Sequence, residues 1–261
     1  MLDDGRMTPE NSWLAGVDGC RDGWLVVFVR PSGNDTRIQV FTRFADIANA
    51  LERPAIIAVD MPIGLPDRSP LKGRAAEQEA RARLGDRRSS VFRIPSRAAV
   101  EASVAAEPAD PRERFFHACA IARETSDDGK GFSKQSFYIL HKVAELDTHL
   151  RTNSADVARV HEVHPELAFW RLNGEHPLGL PKKIKGRCHP LGLELRRDIL
   201  IRAGMPHGLA HAATPRGAAE DDLLDAIACA AIARRIHAGL ATPFPASPPR
   251  DRYGLPMAIW A

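Results

Sequence analysis

The chain lacks the sequence features of several common classes of protein. Its four cysteines, Cys20, Cys119, Cys188 and Cys229, are far apart and form no CxxC pair, which argues against a zinc site or a disulfide framework. The first residues are polar and acidic, without the apolar core of a signal peptide, and no apolar run approaches the length of a membrane span. We therefore expect a cytoplasmic protein that does not enter a membrane.

Aromatic residues and net charge are also scarce. Phe, Trp and Tyr make up only 6% of the chain, which weakens any expectation of recognition by base stacking. The net charge of +3 is too small to indicate a nucleic-acid-binding protein by itself. Arg and Lys are nevertheless concentrated in residues 81–97 and 182–197, which are either solvated faces or surfaces that contact phosphates.

Length and composition fit a soluble globular protein. The 261 residues are enough to bury a substantial core, and the contents of 44% hydrophobic and 26% charged residues are ordinary for this class. We interpret residues 13–261 as a single domain and residues 1–12 as a flexible tail. Residues 66–158 are mostly helical in pattern, with breaks at prolines and glycines, and we interpret them as a helical insertion packed on the sheet.

The order of the predicted elements indicates an α/β fold. Strands are predicted at 13–18, 24–30, 37–42, 55–60 and 159–164, helices at 44–52, 191–203, 218–238 and from Pro165, and a loop at 174–190. The first three strands resemble a β-meander, whereas residues 55–60 are apolar throughout, as in a central strand covered on both faces. This order predicts a mixed sheet with flanking helices, an arrangement that RNase H-like folds share with other folds.

Four aspartates stand where their carboxylates could meet. Asp18 and Asp60 end apolar strands, at the edge where open α/β sheets bind their ligands. Asp222 and Asp225 share one face of the helix 218–238, and that face continues into small and apolar residues that should pack against the sheet. Turn chemistry and the helix dipole are structural explanations for each acid taken singly.

If these carboxylates converge, they require a cation. Two ionised carboxylates in close contact repel by about 4 kcal/mol at an intermediate dielectric constant. Oxygen ligands favour Mg²⁺ or Mn²⁺ over zinc, and two such ions can support phosphodiester hydrolysis. The sequence therefore predicts a Mg²⁺ or Mn²⁺ site made by Asp18, Asp60, Asp222 and Asp225, with Glu162 as a further catalytic candidate.

Several motifs, spread over nearly the whole chain, resemble those of the DUF429 family of predicted RNase H-like nucleases. The matching segments are Ala15-Gly-Val-Asp18-Gly-Cys-Arg-Asp-Gly-Trp24, Val59-Asp60-Met-Pro-Ile-Gly64, Ser89-Ser-Val-Phe92 with Pro95 and Arg97, Glu162-Val-His-Pro-Glu166, and Asp221-Asp-Leu-Leu-Asp-Ala226. The last of these is also similar to the final catalytic helix of RuvC-type resolvases. The resemblance implies an RNase H-like fold and nuclease activity, with metal ligands at Asp18, Asp60, Asp222 and Asp225.

The residues predicted to contact the substrate are polar or basic. They are Ser89, Ser90, Arg93, Arg97, Lys182 and Lys183. Side chains of this kind hold a phosphate backbone without reading its sequence, although a merely solvated loop has the same composition. Nucleic acid, either DNA or RNA, is therefore the predicted partner, and a homodimer is left open as the assembly.

Two other functional classes stay open on the sequence alone. A kinase-like ATPase or phosphotransferase of the actin-like fold contains a related core, and residues 18–23 resemble a phosphate loop. Such proteins duplicate the core, for which 261 residues leave little room. The other class is a non-catalytic module that binds a metal or nucleic acid. Neither a GxSxG nor a Walker A motif occurs in the chain.

Overall fold

The chain folds around a five-stranded mixed sheet in a computed structural model that describes residues 12–261. The strands are β1 (Leu14–Cys20), β2 (Gly23–Val29), β3 (Thr36–Phe41), β4 (Ile56–Val59) and β5 (Val160–Glu162), arranged in the order β3-β2-β1-β4-β5. β1, β2 and β3 form an antiparallel meander, whereas β4 runs parallel to β1 and β5. The predicted α/β class with a mixed sheet is confirmed and is consistent with an RNase H-like fold. Residues 1–11 of the predicted tail lie outside the described residues.

Helices cover both faces of this sheet. They are α1 (Phe44–Ala48), α2 (Ala75–Arg83), α3 (Arg97–Val104), α4 (Pro111–Glu124), α5 (Lys134–Thr152), α6 (Pro165–Leu172), α7 (Pro190–Arg202), α8 (His207–Ala210) and α9 (Glu220–His237), with 3₁₀ helices at Gly85–Ser90 and Ser154–Ala158. In sequence, α2 to α5 come between β4 and β5. Pro165 is the first residue of α6, as the sequence predicts. Within residues 12–261, no helix has the length and hydropathy needed to cross a bilayer.

Alternate residues of the central strand are buried on opposite faces of the sheet. Ile57 and Val59 belong to the core shared with α1 and α5, whereas Ile56 and Ala58 belong to the core shared with α6, α7 and α9. Successive side chains of a strand point to opposite faces, which accounts for this division. Because both faces are covered, β4 is apolar at every position, as its sequence predicts.

Helix α9 lies directly on β1, and a glycine permits this close approach. A Cβ atom on Gly16 would stand 2.1 Å from both the Ala226 carbonyl oxygen and the Ala230 amide nitrogen. Both of these are backbone atoms, so neither could yield without a shift of the whole helix. The contact therefore fixes the first turns of α9, with their acidic residues, beside the end of β1.

Two short strand pairs are not predicted by the sequence. β6 (Lys183–Ile184) and β7 (Arg187–Cys188) form a hairpin inside residues 174–190, where only a loop is expected, and β8 (Pro243–Phe244) pairs with β9 (Ile259–Trp260). Lys185 and Gly186 make the hairpin turn with φ of 50° and 78°, the left-handed conformation that tight hairpin turns favour. The loop prediction was wrong here because a two-residue strand has too little alternation to be recognised.

Candidate metal centre

Three aspartates from distant parts of the sequence meet at one edge of the sheet. Asp18 lies near the end of β1, Asp60 directly follows β4, and Asp225 lies in the second turn of α9. The Asp60 amide donates a hydrogen bond to the Val17 carbonyl at 2.8 Å, which holds the two strand ends together. Each aspartate offers a carboxylate oxygen, and these oxygens lie within 4.8 Å of one another. The carboxylate triad, Asp18, Asp60 and Asp225, is therefore compatible with a metal site.

Burial raises the pKa of all three carboxyl groups, and repulsion within the triad adds to this for Asp18 and Asp60. Burial raises the pKa of Asp18 well above its usual range, and the charges of Asp60 and Asp225 add to this effect. Burial and Asp225 raise the pKa of Asp60 to about 8. Burial also raises the pKa of Asp225 to about 6, against the opposing charge of Lys182. Near neutral pH the triad therefore cannot be fully ionised without an additional positive charge.

Asp225 has a carboxylate oxygen that the described residues leave unpartnered. Its Oδ2 accepts a hydrogen bond from the Lys182 ammonium, whereas its Oδ1 is buried and has no hydrogen-bond partner among residues 12–261. A buried carboxylate oxygen without a partner is unfavourable because it has lost its hydration. A hard divalent cation would supply the missing contact, and an all-oxygen ligand set suits Mg²⁺ or Mn²⁺. The residues present therefore fit such an ion.

The neighbouring acids of α9 have other partners. Asp222 accepts a hydrogen bond from the Ala219 amide at 2.8 Å and so caps the start of the helix. Asp221 forms ion pairs with Lys183 at 2.6 Å and Lys182 at 3.7 Å. Both acids line the cleft above the triad, but neither belongs to the group of three close carboxylates. The structure thus brings Asp225 to Asp18 and Asp60, and leaves Asp222 outside this group.

Glu162 lies beside the triad with both carboxylate oxygens already engaged. Its Oε1 accepts a hydrogen bond from Arg74 at 2.6 Å, and its Oε2 accepts one from the Ile63 amide at 2.7 Å. The side chains of Glu162 and Arg74 are almost fully buried. Because Ile63 follows Asp60 by three residues, the carboxylate of Glu162 anchors the segment that carries Asp60. This geometry favours a positioning residue over a metal ligand.

The triad opens into a cleft of about 430 Å³ that carries several basic groups. Lys182 and Lys183, predicted to contact the substrate, line it at the start of the β6–β7 hairpin. Lys142 also lines the cleft, and its ammonium donates to the Gly23 carbonyl at 2.6 Å. Lys142 was not singled out from the sequence. A lysine among the apolar positions of a buried helix face is rare, and this could have indicated a functional residue.

The other predicted phosphate contacts are distributed differently. Ser90 lines the cleft, and Ser89 is exposed on the same 3₁₀ helix. Arg93 lines an adjacent cavity and forms an ion pair with Asp128 at 2.7 Å. Arg97 is fully buried and is bound by Asp147 and Asp251, so its guanidinium serves the core instead of the cleft. A buried pair of this kind is disrupted when either partner is removed.

Comparison with known proteins identifies a family but no characterised relative. No curated protein and no solved structure is significantly similar to the chain. The family model described as "Protein of unknown function (DUF429)" matches residues 16–250. That match contains the whole carboxylate triad, Asp222, Glu162 and the β6–β7 hairpin. The chain therefore belongs to the DUF429 family.

Proposed function

We propose that the protein is a metal-dependent phosphodiesterase that hydrolyses nucleic acid, with Mg²⁺ or Mn²⁺ held by the carboxylate triad. The observation that carries this proposal is the geometry of the triad. Three carboxylate oxygens lie within 4.8 Å of one another, and the buried Oδ1 of Asp225 has no partner among residues 12–261. Such a site concentrates negative charge at the end of an open cleft, where a cation and a phosphate could meet.

When bound, the ion would polarise a phosphoryl oxygen and lower the pKa of a water molecule. The protein contributes rigid ligands, because Asp18 and Asp60 are fixed by adjacent parallel strands and Asp225 by the contact of α9 with Gly16. Ligands on strands and helices hold a more constant geometry than ligands on loops. Asp222 lies at the rim of the same cleft and is the candidate ligand for a second cation.

Positive groups at the rim would orient the phosphate backbone. Lys182 reaches into the triad and Lys183 pairs with Asp221, so both ammonium groups are held over the cleft by acids of α9. Lysine acts as a point charge towards phosphate oxygens and does not read the bases. Ser90, at the end of the 3₁₀ helix Gly85–Ser90, also lines the cleft and adds a hydroxyl group. The site therefore suits a phosphodiester without selecting a nucleotide sequence.

A substrate screen tests this proposal. Purified protein should cleave at least one of single-stranded, duplex, hybrid and branched nucleic acids in the presence of Mn²⁺. Asp18→Asn and Asp225→Asn should each lower the rate by about a hundredfold or more, because each removes a ligand from the metal. Asp198→Asn is the matched control, since Asp198 is an exposed acid of α7 outside the cleft.

Three results would contradict the proposal. Equal cleavage by wild type and both triad variants would identify the activity as a contaminant. Hydrolysis of ATP or another small phosphate ester, without cleavage of any nucleic acid, would favour the kinase-like alternative. Binding of a metal or nucleic acid without turnover would favour a non-catalytic module.

A further inference from the structure

A second cavity adjoins the carboxylate cleft and shares one aromatic side chain with it. This cavity of about 240 Å³ is lined by residues from two separate segments, 92–95 and 130–136, together with a few others. Phe92 borders this cavity and also the cleft that contains the triad. Its side chain is 38% exposed, so a flat aromatic surface is accessible between the two spaces. A ligand in the cleft could therefore continue over Phe92 into the cavity.

A second aromatic ring, Phe132, lines the same cavity and is held firmly in place. It stacks on Phe137 with an interplanar angle of 7° and meets Phe115 edge to face, with centroids 6.1 Å apart. Such contacts restrict the ring because offset-stacked and edge-to-face arrangements are both favourable. Phe92 and Phe132 are forty positions apart in sequence, and only the fold brings them to one cavity. The low aromatic content of the chain thus conceals a local concentration of rings.

The cavity also carries an excess of positive charge. Arg93 and Lys130 both line it, and both pair with the single carboxylate of Asp128, at 2.7 Å and 3.7 Å. One of the two positive charges is therefore uncompensated within this group. Ser126 and Ser133 add hydroxyl groups to the lining. Aromatic faces beside cationic groups are the usual features of a surface that binds unpaired nucleotides.

We propose that this cavity binds an unpaired nucleotide adjacent to the phosphate in the cleft, with its base stacked on Phe92 and its phosphate near Arg93 and Lys130. The proposal rests on the proposed function and specifies its substrate class as single-stranded nucleic acid. A base within a duplex is stacked between its neighbours and cannot enter a concave site unless it leaves the helix. A duplex should therefore bind this surface more weakly than a single strand of the same length.

Fluorescence anisotropy with labelled oligonucleotides tests the inference without requiring cleavage. The probes are a short oligothymidine, the same strand with abasic sites, and a hairpin duplex, all measured in EDTA. Wild type should bind the oligothymidine more tightly than the other two probes. Phe92→Ala should weaken oligothymidine binding by about tenfold, because stacking on an aromatic ring is lost, and should leave abasic binding unchanged.

Two further variants make the result specific. Phe92→Trp should retain the affinity of wild type, since a larger aromatic face replaces the original one. Phe116→Ala should also bind normally, because Phe116 is an exposed ring that contacts Phe115 and lines neither cavity. Circular dichroism checks that each variant is folded.

The outcomes separate this inference from the proposed function. Unchanged oligothymidine binding by Phe92→Ala would overturn the inference. So would a wild type that binds the duplex as tightly as the single strand, or one that binds no oligonucleotide. Each of these results leaves the Mn²⁺-dependent cleavage screen to decide the proposed function independently. Conversely, tight stacking-dependent binding by a protein that cleaves nothing would overturn the proposed function and support the binding site.

Discussion

Asp60 follows strand β4, and Glu162 ends the neighbouring strand β5. The two carboxyl groups have different surroundings. Asp60 faces two other carboxylates, and burial together with Asp225 raises its pKa to about 8. Glu162 faces the guanidinium of Arg74, which donates to both of its oxygens. Burial still raises the pKa of Glu162 to about 7, against the opposing effect of Arg74. The charge of Glu162 in turn raises the pKa of Arg74 against the effect of burial, so its loss would leave that buried guanidinium with one partner fewer. We therefore expect the two acids to respond in opposite ways to loss of charge.

We expect Asp60→Asn to stabilise the metal-free protein near neutral pH. The amide removes a carboxyl group that burial and the charge of Asp225 keep protonated in the folded state but that is ionised in the unfolded chain. Urea unfolding in EDTA should therefore give a higher midpoint for this variant than for wild type. A lower midpoint would show that the cost of burying the Asp60 carboxyl group beside Asp225 does not limit stability at this position.

Glu162→Gln should have the opposite effect on stability. It removes the negative charge opposite Arg74, whose side chain is only 2% exposed and would keep its buried positive charge with Glu77 as its remaining acidic partner. Breaking a buried pair typically costs about 3–5 kcal/mol, and the retained Glu77 should place this loss at the lower end of that range. Urea unfolding measures the loss, and calorimetry of the folded variant should still detect Mn²⁺ binding. Complete loss of Mn²⁺ binding by folded Glu162→Gln would instead identify Glu162 as a ligand.

At the scale of elements, the contact between β1 and α9 places Asp225, in the second turn of α9, over the sheet. Gly16→Ala should destabilise the protein by about 3 kcal/mol or more, because the new methyl group would meet backbone atoms of α9 at 2.1 Å. Gly208→Ala is the control, since a Cβ on Gly208 meets nothing within 4 Å and alanine favours helix α8. Urea unfolding of the two variants should differ accordingly, and similar midpoints would show that α9 can move away from β1.

Strand β5 carries a half-buried histidine that makes stability depend on pH. Burial lowers the pKa of His161 from 6.5 to about 4, and its ring packs edge-on against Trp260 with centroids 5.0 Å apart. Between these pH values the unfolded chain binds a proton that the folded chain does not. The stability that neutral His161 contributes is therefore complete above about pH 6.5 and is lost as the pH falls towards about 4.

We expect His161→Phe to lose less stability than wild type when the pH is lowered from about 7 to about 5. Phenylalanine preserves the aromatic contact with Trp260 and removes the titrating group. Part of the dependence should remain, because burial also lowers the pKa of His164 to about 4. Urea unfolding at both pH values measures the difference, with exposed His117→Phe as the control. Identical pH dependence in wild type and His161→Phe would contradict the assignment.

Local sequence patterns predict the long elements of this fold and miss the short ones. The apolar run before Asp60 and the small-residue face of α9 predict a central strand and a helix packed on it, and both are confirmed. The β6–β7 hairpin escapes detection because its strands are two residues long and the first position of its turn is Lys185 instead of Asn, Asp or Gly. This hairpin matters to the candidate site because it places Lys182 at Asp225 and Lys183 at Asp221.

At the scale of the whole molecule, the candidate site depends on contacts between distant segments. The order of strands predicts that Asp18 and Asp60 lie on neighbouring strands, and the helix periodicity predicts that Asp225 faces them. The Arg74–Glu162 pair and the shared cavity of Phe92 and Phe132 involve separations of 88 and forty residues, which no local pattern encodes. Arg97 illustrates the same limit, because its pairing with Asp251 follows from the path of the chain's last residues.

Metal binding should appear as a change in the stability of the whole molecule. An ion that binds only the folded state stabilises it by RT ln(1 + [L]/Kd), which is about 1.4 kcal/mol at tenfold excess over Kd and raises Tm by a few degrees. Scanning calorimetry should therefore show a higher Tm for wild type and Asp198→Asn in Mn²⁺ than in EDTA. Asp225→Asn should show a much smaller shift, because it replaces the proposed ligand whose Oδ1 has no hydrogen-bond partner among residues 12–261. Equal shifts in all three proteins would place the bound ion outside the carboxylate triad.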